Sequence, residues 1–100
     1  MARFLASALG LGIALAAAPA TVQARPVHIG ECAACHGEDG IARDMEVPHL
    51  AGQNERYLYN QMLAFRSGKR PHKEMRVMSR SMTNEEMAAL AAYYAALPPR

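Results

Sequence analysis

The sequence lacks several features that common binding classes require. It contains only two cysteines, Cys32 and Cys35, in 100 residues, so no second Cys pair is available to complete a four-ligand zinc site. Its formal net charge of +2 is too small for a protein whose main partner is nucleic acid. It has no internal repeat and no strand-like alternation of apolar and polar residues, so an all-α fold is predicted. Its length allows one domain, with a core near the lower limit for independent folding.

The longest uncharged apolar run lies near the start of the chain, at residues 4–18. A positive residue, Arg3, precedes it and a small-residue segment at 22–24 follows it, which is the pattern of a secretory signal peptide. No twin arginine is present, so general secretion of an unfolded chain is expected. The run is shorter than the roughly 20 apolar residues of a spanning helix, which makes an uncleaved membrane anchor the weaker alternative.

Cleavage of this leader defines the predicted domains. We predict a signal peptide at residues 1–24 and one mature domain at residues 25–100, with cleavage after Ala20 as the alternative to Ala24. The mature protein is expected to be soluble in the periplasm and to have no membrane span. Two lone cysteines in such an oxidising compartment would normally form a disulfide, unless both sulfurs are bonded to another group.

The two cysteines belong to the string Cys32-Ala33-Ala34-Cys35-His36, which has the C-x-x-C-H spacing of a c-type haem attachment motif. Residues three apart lie on one face of a helical turn, so both thiols can form thioethers with the vinyl groups of one porphyrin. His36 is then held beneath the iron as the proximal ligand. The two alanines between the cysteines let the backbone lie close to the macrocycle.

Three other uses of the cysteine pair are weaker. A thioredoxin-like redox pair needs a strand–helix context, and no β-branched or alternating run precedes Cys32. A zinc site is disfavoured because the adjacent Cys35 and His36 are poorly placed to share one metal. A disulfide between Cys32 and Cys35 would close a very short loop and stabilise little. We therefore predict one covalently bound haem c, with its iron, per chain.

Two helices are predicted after the haem motif. One covers residues 54–67, between an N-cap asparagine and a glycine stop signal. The other covers residues 83–97, beginning with the capping box of Thr83 and Glu86 and ending before two prolines. A brief helix is expected to lead into the haem motif. Residues 67–82 are predicted to be a loop because they contain glycine, proline and many charges.

Pro48 is the informative residue of the irregular stretch 41–52. A metal-bound histidine nearly always donates its other ring N–H to an acceptor such as a backbone carbonyl. In a chain this small, the loop after His36 is the natural source of that acceptor. The carbonyl of Pro48, or of a neighbour, is therefore the candidate, and the alternative is that Pro48 only breaks local structure.

The haem motif is one of several segments that form a pattern along about residues 30–97. They are Cys32–Gly37, Pro48–Gln53, Tyr57-Leu58, Phe65–Gly68 and Met82–Glu86, which leads into Ala91–Tyr94. In this pattern the sequence resembles the class I c-type cytochromes, and among them the small bacterial cytochrome c4-like type. The resemblance implies a class I cytochrome c fold of a few helices around one haem c. It also implies His and Met axial ligands, a proline carbonyl on the proximal histidine, and single-electron transfer without enzymatic activity.

The resemblance implies a methionine as the second axial ligand, and a thioether sulfur raises the reduction potential of haem iron. The family's spacing before the last helix favours Met75 as the distal ligand, with Met78 as the runner-up. His72 is the nearest histidine alternative, since imidazole also suits iron. Other candidates are expected to serve elsewhere: Met82 in a hydrophobic staple, and His28 and His49 at the surface.

One departure from the family concerns the helix before the haem motif, which is usually longer. Only residues 25–31 separate the favoured cleavage site from Cys32. The helix that should cross the C-terminal one is therefore short. Either cleavage falls earlier, after Ala20, or this contact is reduced and stability depends more on the haem.

The leading functional hypothesis is a soluble periplasmic one-electron shuttle, and the alternative is a haem subunit of a periplasmic dehydrogenase complex. A haem sensor or peroxidase-like protein is a third hypothesis, but no cluster suggests a distal acid–base set. The distal loop is basic, and positive charge around an exposed haem edge would steer a redox partner with an acidic docking surface. An ordinary solvated charge run, or pairing of Arg76 with a haem propionate, is the alternative. The basic residues are Arg66, Lys69, Arg70, Lys73, Arg76 and Arg80.

Overall fold

A computed structural model of the chain describes residues 25–100 and, of the leader, only Gly12. The described part contains no strand, which confirms the all-α prediction. The predicted signal peptide at residues 1–24 lies, apart from Gly12, outside the described residues, so it and its cleavage site stay predictions. The described helices are α1 (Ile29–His36), α2 (Glu55–Ser67), α3 (Lys73–Ser79) and α4 (Asn84–Ala95).

Helices α2 and α4 begin where their capping residues allow. The Asn54 side chain accepts a hydrogen bond from the Tyr57 N–H at 2.8 Å, and Gly68, in the left-handed conformation, ends α2. At the start of α4, Thr83 Oγ1 accepts from the Glu86 N–H at 3.1 Å and Glu86 Oε1 accepts from the Thr83 N–H at 3.0 Å. Both predicted helices and the predicted capping box are therefore confirmed.

Helix α4 ends at Ala95, before the predicted end at Leu97. The physical reason is Pro98, because the residue before a proline is disfavoured in the α region. The Leu97 N–H instead donates to the Tyr94 carbonyl at 3.2 Å, which closes a tighter turn.

The prediction of a loop throughout residues 67–82 is wrong, because Lys73–Ser79 form helix α3. Its N-cap is His72, whose Nδ1 accepts from the Met75 N–H at 3.2 Å. Histidine is not among the usual N-cap residues, so the sequence carries no start signal here. A helix this short is unstable alone, and packing of α3 against α2 supports it.

The core lies mainly between α2 and α4, the pair of helices that pack most extensively. Met82 and Met87 flank the α4 cap and share one buried cluster, as the predicted staple requires. Helix α1 reaches this cluster through Ile29. None of the helices in the part of the chain that the structure describes is long and apolar enough to span a bilayer. The cluster consists of Ile29, Leu58, Met82, Met87, Leu90, Ala91 and Tyr94.

Candidate haem site

Helix α1 carries all three residues of the predicted haem motif. Cys32 is half-buried, Cys35 is exposed and His36 is buried. Because the two cysteines are three residues apart on one helix, their thiols lie on neighbouring positions of one face. The helix ends at Gly37, with φ of 82°, a conformation that L side chains rarely adopt. A Cβ at this position would lie 2.5 Å from the Ile41 carbonyl oxygen, so the chain needs glycine directly after His36.

One nitrogen of His36 is held by the backbone and the other is left for a metal. Nδ1 lies 2.9 Å from the Pro48 carbonyl oxygen. A carbonyl can only accept, so Nδ1 carries the proton and Nε2 of the neutral ring carries the free lone pair. Nε2 makes no hydrogen bond within the described residues, and no buried side-chain nitrogen there lacks a partner, so Nε2 is accessible. The expected acceptor, Pro48, is therefore confirmed.

The environment keeps the His36 ring neutral. Burial lowers the pKa of His36, the hydrogen bond to Pro48 partly opposes this, and the charge of His72 lowers it further. A neutral imidazole is the form that binds iron.

The loop that supplies Pro48 is closed by hydrogen bonds on both sides of it. The Leu50 N–H donates to the Gly40 carbonyl at 2.8 Å. The Ala42 N–H donates to Nδ1 of His49 at 2.8 Å. His49 is exposed, as predicted, but the sequence analysis missed its hydrogen bond. No local signal marks such a contact, because it joins residues across an irregular loop.

Two tyrosines of α4 hold the backbone that follows the haem motif. Tyr93 donates from its hydroxyl to the Glu38 carbonyl at 2.9 Å, and Tyr94 donates to the Gly37 carbonyl at 3.3 Å. Burial raises the pKa of Tyr94, so its hydroxyl stays protonated and able to donate. Tyr94 lies in the helix predicted at residues 83–97, but the hydrogen bond of its hydroxyl was not predicted.

The cysteines do not have the character of a thiol–disulfide pair. Burial, and then the charge of Glu31, raises the pKa of the Cys32 thiol to about 11. Redox-active cysteines have lowered pKa values instead. Within the described residues, no group of three or more His, Cys, Asp and Glu side chains is arranged to hold a metal ion. The redox-pair and zinc alternatives therefore find no support in this geometry.

The candidate distal ligands occupy different positions around α3. Met75 is half-buried in its first turn, whereas Met78, one turn later, is 40% exposed. Met82 is buried in the core. The side chain of His72 caps α3, with Nδ1 already accepting from the Met75 N–H. Met75 is thus more buried than Met78, the other methionine of α3.

The basic residues of the distal segment divide into two groups. Arg66 and Arg70 are engaged: Arg66 donates to the Met82 carbonyl at 3.0 Å, and Arg70 donates to Gln61 Oε1 at 2.7 Å. The remaining four are exposed: Lys69, Lys73, Arg76 and Arg80.

The residues present fit a covalently bound haem. The donor set combines two thiols on one face of α1 and an accessible imidazole nitrogen, which matches the attachment of haem c. Several apolar side chains pack against the core but keep part of their surface exposed, and a macrocycle could cover that surface. Among them are Leu50, Tyr59, Met62 and Leu63.

Comparisons with known proteins agree with this donor set. The family model described as Cytochrome c matches residues 22–97. A cytochrome c4 from Pseudomonas aeruginosa is 44% identical over 64 residues, which is 64% of this chain and 32% of that protein. A thiosulfate dehydrogenase electron acceptor from Thiomonas intermedia is 39% identical over 100 residues, which is 99% of this chain and 46% of that protein. The chain therefore spans less than half the length of these two relatives.

A shorter relative and a solved structure complete the comparison. Cytochrome c-554(548) from Halomonas halodenitrificans is 39% identical over 69 residues, which is 66% of this chain and 83% of that protein. The structure of Acidithiobacillus ferrooxidans cytochrome c4 superimposes with a TM-score of 0.63 at 35% identity, covering 66% of this chain and 38% of that one. Such proteins transfer electrons and are not enzymes. The chain belongs to the Cytochrome c family, as a class I c-type cytochrome of the c4-like type whose cofactor is haem c.

Proposed function

We propose that this chain is a periplasmic one-electron carrier with His36 and Met75 as the axial ligands of its haem. The observation that carries the proposal is the state of His36, whose Nδ1 donates to Pro48 while Nε2 stays accessible. A haem iron supplies the one-electron Fe(III)/Fe(II) couple, which needs no bond to a substrate. The chain's own task is to hold two ligands and to limit their movement.

The cysteines would provide the permanent attachment. Each thiol would be bonded to one former vinyl group of the haem through a thioether, with the thiol hydrogen on the other vinyl carbon. Cys32 and Cys35 serve this purpose because they lie on one face of α1 directly before His36. Their spacing supports the assignment of both as covalent haem ligands.

Met75 is the better candidate for the sulfur ligand. It is half-buried in the first turn of α3, and both polar groups of its backbone are hydrogen-bonded. Met78 remains the runner-up, but 40% exposure suits a surface side chain better than a ligand. A methionine sulfur opposite His36 would favour the reduced iron and raise the reduction potential.

The predicted signal at residues 1–24 supports export, and covalent attachment of haem to the mature domain at residues 25–100 suits the periplasm. Exposed basic side chains on and beside α3 support a redox partner with an acidic docking surface.

The names of two relatives favour a second candidate, a haem subunit of a periplasmic dehydrogenase complex. Proteins from Thiomonas intermedia and Stutzerimonas stutzeri are each called a thiosulfate dehydrogenase electron acceptor. The native size of the exported protein separates the candidates, because a shuttle runs as a small species and a subunit co-purifies with a larger partner.

The optical spectrum of the exported holoprotein tests the ligand assignment. We expect a sulfur-to-iron charge-transfer band in the oxidised form, lost in Met75→Ala and kept in the control variant Met78→Ala. Retention of the band in Met75→Ala would exclude Met75 as the ligand. Tight binding of CO or cyanide by the unmodified protein would instead indicate an open sixth position and a sensor-like function.

A further inference from the structure

We propose that His72 and Ser79 are positioning residues that hold Met75 at the iron by fixing both polar groups of its backbone. This inference rests on the proposed ligation by Met75. The Met75 N–H donates to Nδ1 of His72 at 3.2 Å. The Met75 carbonyl accepts from Ser79 Oγ at 2.7 Å. The backbone of Met75 is thereby held by one side chain from the turn before it and by another from the turn after it.

The serine contact is well shielded from water. Ser79 is fully buried, with no exposed surface, at the end of α3. Its hydroxyl lies 3.5 Å from the Arg76 carbonyl, so the contact to Met75 at 2.7 Å is the principal one. A buried hydroxyl without a partner would be costly, and Ser79 therefore stays bonded to the carbonyl of Met75.

The histidine contact is oriented by α2. The ring of His72 meets the ring of Phe65 edge to face, with centroids 6.0 Å apart and an interplanar angle of 64°. The guanidinium of Arg70 lies 4.6 Å from the Phe65 centroid and donates to Gln61 on the same helix. These contacts link α2 to the His72 ring, and the ring links to the backbone of Met75. The Glu74 carboxylate, 3.6 Å from Nδ1 of His72, lies beyond hydrogen-bond distance.

The consequence for the haem follows from the length of α3. A helix of seven residues has few internal hydrogen bonds, so each terminal contact is a large share of its stability. Loss of the cap would favour states in which α3 loosens and the sulfur leaves the iron. An external ligand would then bind more tightly, because less of its binding free energy is used to displace Met75.

The test uses cyanide binding to the oxidised holoprotein. In His72→Ala we expect the apparent affinity for cyanide to rise by roughly fivefold, the equilibrium factor for losing one N-cap. His72→Asn should keep near-normal affinity, because asparagine is a preferred N-cap. Ser79→Ala should show a similar rise. Hydrogen exchange of the Met75 amide in the holoprotein should quicken in His72→Ala and stay slow in His72→Asn.

A matched control separates local positioning from general destabilisation. Thr83→Ala removes the cap of α4 without touching α3, so it should lower the stability of the protein and leave cyanide affinity unchanged. Equal cyanide affinity in His72→Ala and His72→Asn would overturn the inference, and so would an equal rise in Thr83→Ala. If His72→Ala fails to fold, the cyanide affinities of Ser79→Ala and Thr83→Ala can be compared instead, and they test the same inference.

Different results would contradict the proposed ligation by Met75 and the proposed positioning by His72 and Ser79. If Met75→Ala keeps the charge-transfer band, the proposed ligand is wrong and the inference falls with it. If that band is lost in Met75→Ala while the His72 and Ser79 variants bind cyanide like the unmodified protein, the ligand is right and only the positioning inference is wrong.

Discussion

At the level of single residues, the site depends on backbone groups as much as on its ligands. The proton on Nδ1 of His36 is directed by the carbonyl of Pro48, which is distant in the sequence. The backbone after His36 is held by the hydroxyl groups of Tyr93 and Tyr94. These contacts determine which imidazole nitrogen is available and in which direction the ring faces.

Among these single residues, replacement of Gly37 should lower the stability of the protein most. In Gly37→Ala the backbone conformation, with φ of 82° and ψ of 150°, should alone cost about 1–3 kcal/mol, and the contact of the new Cβ with the Ile41 carbonyl should add to it. Gly30→Ala is the matched control, because it lies in the same helix with nothing within 4 Å of its Cβ, and it should stabilise by about 1 kcal/mol. Urea unfolding of both holoproteins measures this difference. Equal stability of the two variants would contradict the account of the turn after His36.

At the level of helices, the short α1 is tied to α4 by an ion pair as well as by Ile29. His28, the left-handed N-cap of α1, lies with Nδ1 3.0 Å from Glu31 and with Nε2 2.7 Å from Glu86. Burial opposes the charged ring, but the hydrogen bonds and charges of Glu31 and Glu86 together raise the pKa of His28. The sequence analysis placed His28 at the surface and found no structural use for it. Its ring is half-buried and bridges two helices.

This ion pair should make the stability of the protein depend on pH. Because the pKa of His28 is raised in the folded state, its stabilisation is complete below its ordinary value of 6.5 and is lost as pH rises through the folded pKa. The difference in unfolding free energy between the unmodified protein and His28→Asn should therefore shrink with rising pH. Asparagine is the suitable replacement because it tolerates the left-handed backbone.

The contribution of Glu86 to the same interaction depends on pH in the opposite direction. Hydrogen bonding to the Thr83 backbone, and then to the Thr83 and His28 side chains, lowers the pKa of Glu86 against burial, so its contribution is lost as pH falls below 4.5. A difference between the two proteins that stays constant from acid to mildly alkaline pH would show that the bridge does not stabilise the fold.

At the level of the whole molecule, positive charge is concentrated near the proposed sulfur ligand. The side chains of Lys69, Lys73, Arg76 and Arg80 are exposed and lie within residues 69–80, where Glu74 is the only acid. Two other basic residues also support the fold, because Arg66 joins α2 to the segment before α4 and Arg70 joins the segment before α3 to α2. Charge reversal at the exposed positions therefore tests the surface, whereas reversal at Arg70 would also disturb the fold.

Two charge reversals should slow reaction with an acidic redox partner. In the double variant Lys69→Glu and Lys73→Glu we expect electron transfer to fall by roughly tenfold at low ionic strength, with a flatter dependence on salt. Arg56→Glu, an exposed charge on α2 outside this segment, is the control and should change the rate little. Stopped-flow kinetics against a negatively charged protein at several salt concentrations provides the measurement. Unchanged salt dependence in the double variant would refute steering by this surface.

Much of the fold was predictable because its signals are local. The capping box at Thr83 and Glu86 and the N-cap at Asn54 each act within one helical turn, so the sequence placed α2 and α4 correctly. Helix α3 was missed because its cap is a histidine and its stability comes from packing against α2. The bridge through His28 was missed because it joins residues far apart in the chain.

The sequence alone determined the kind of chemistry, since the spacing of Cys32, Cys35 and His36 lies within one helical turn and therefore specifies a haem motif without reference to the rest of the chain. Only the tertiary structure decided how this motif is held. The carbonyl of Pro48 on His36 was predicted, but the tyrosine hydroxyls on the backbone after the motif and the bridge from His28 to Glu86 depend on folding distant segments together. Hydrogen bonds are short-range and directional, so no pattern along the chain could specify them before the helices packed.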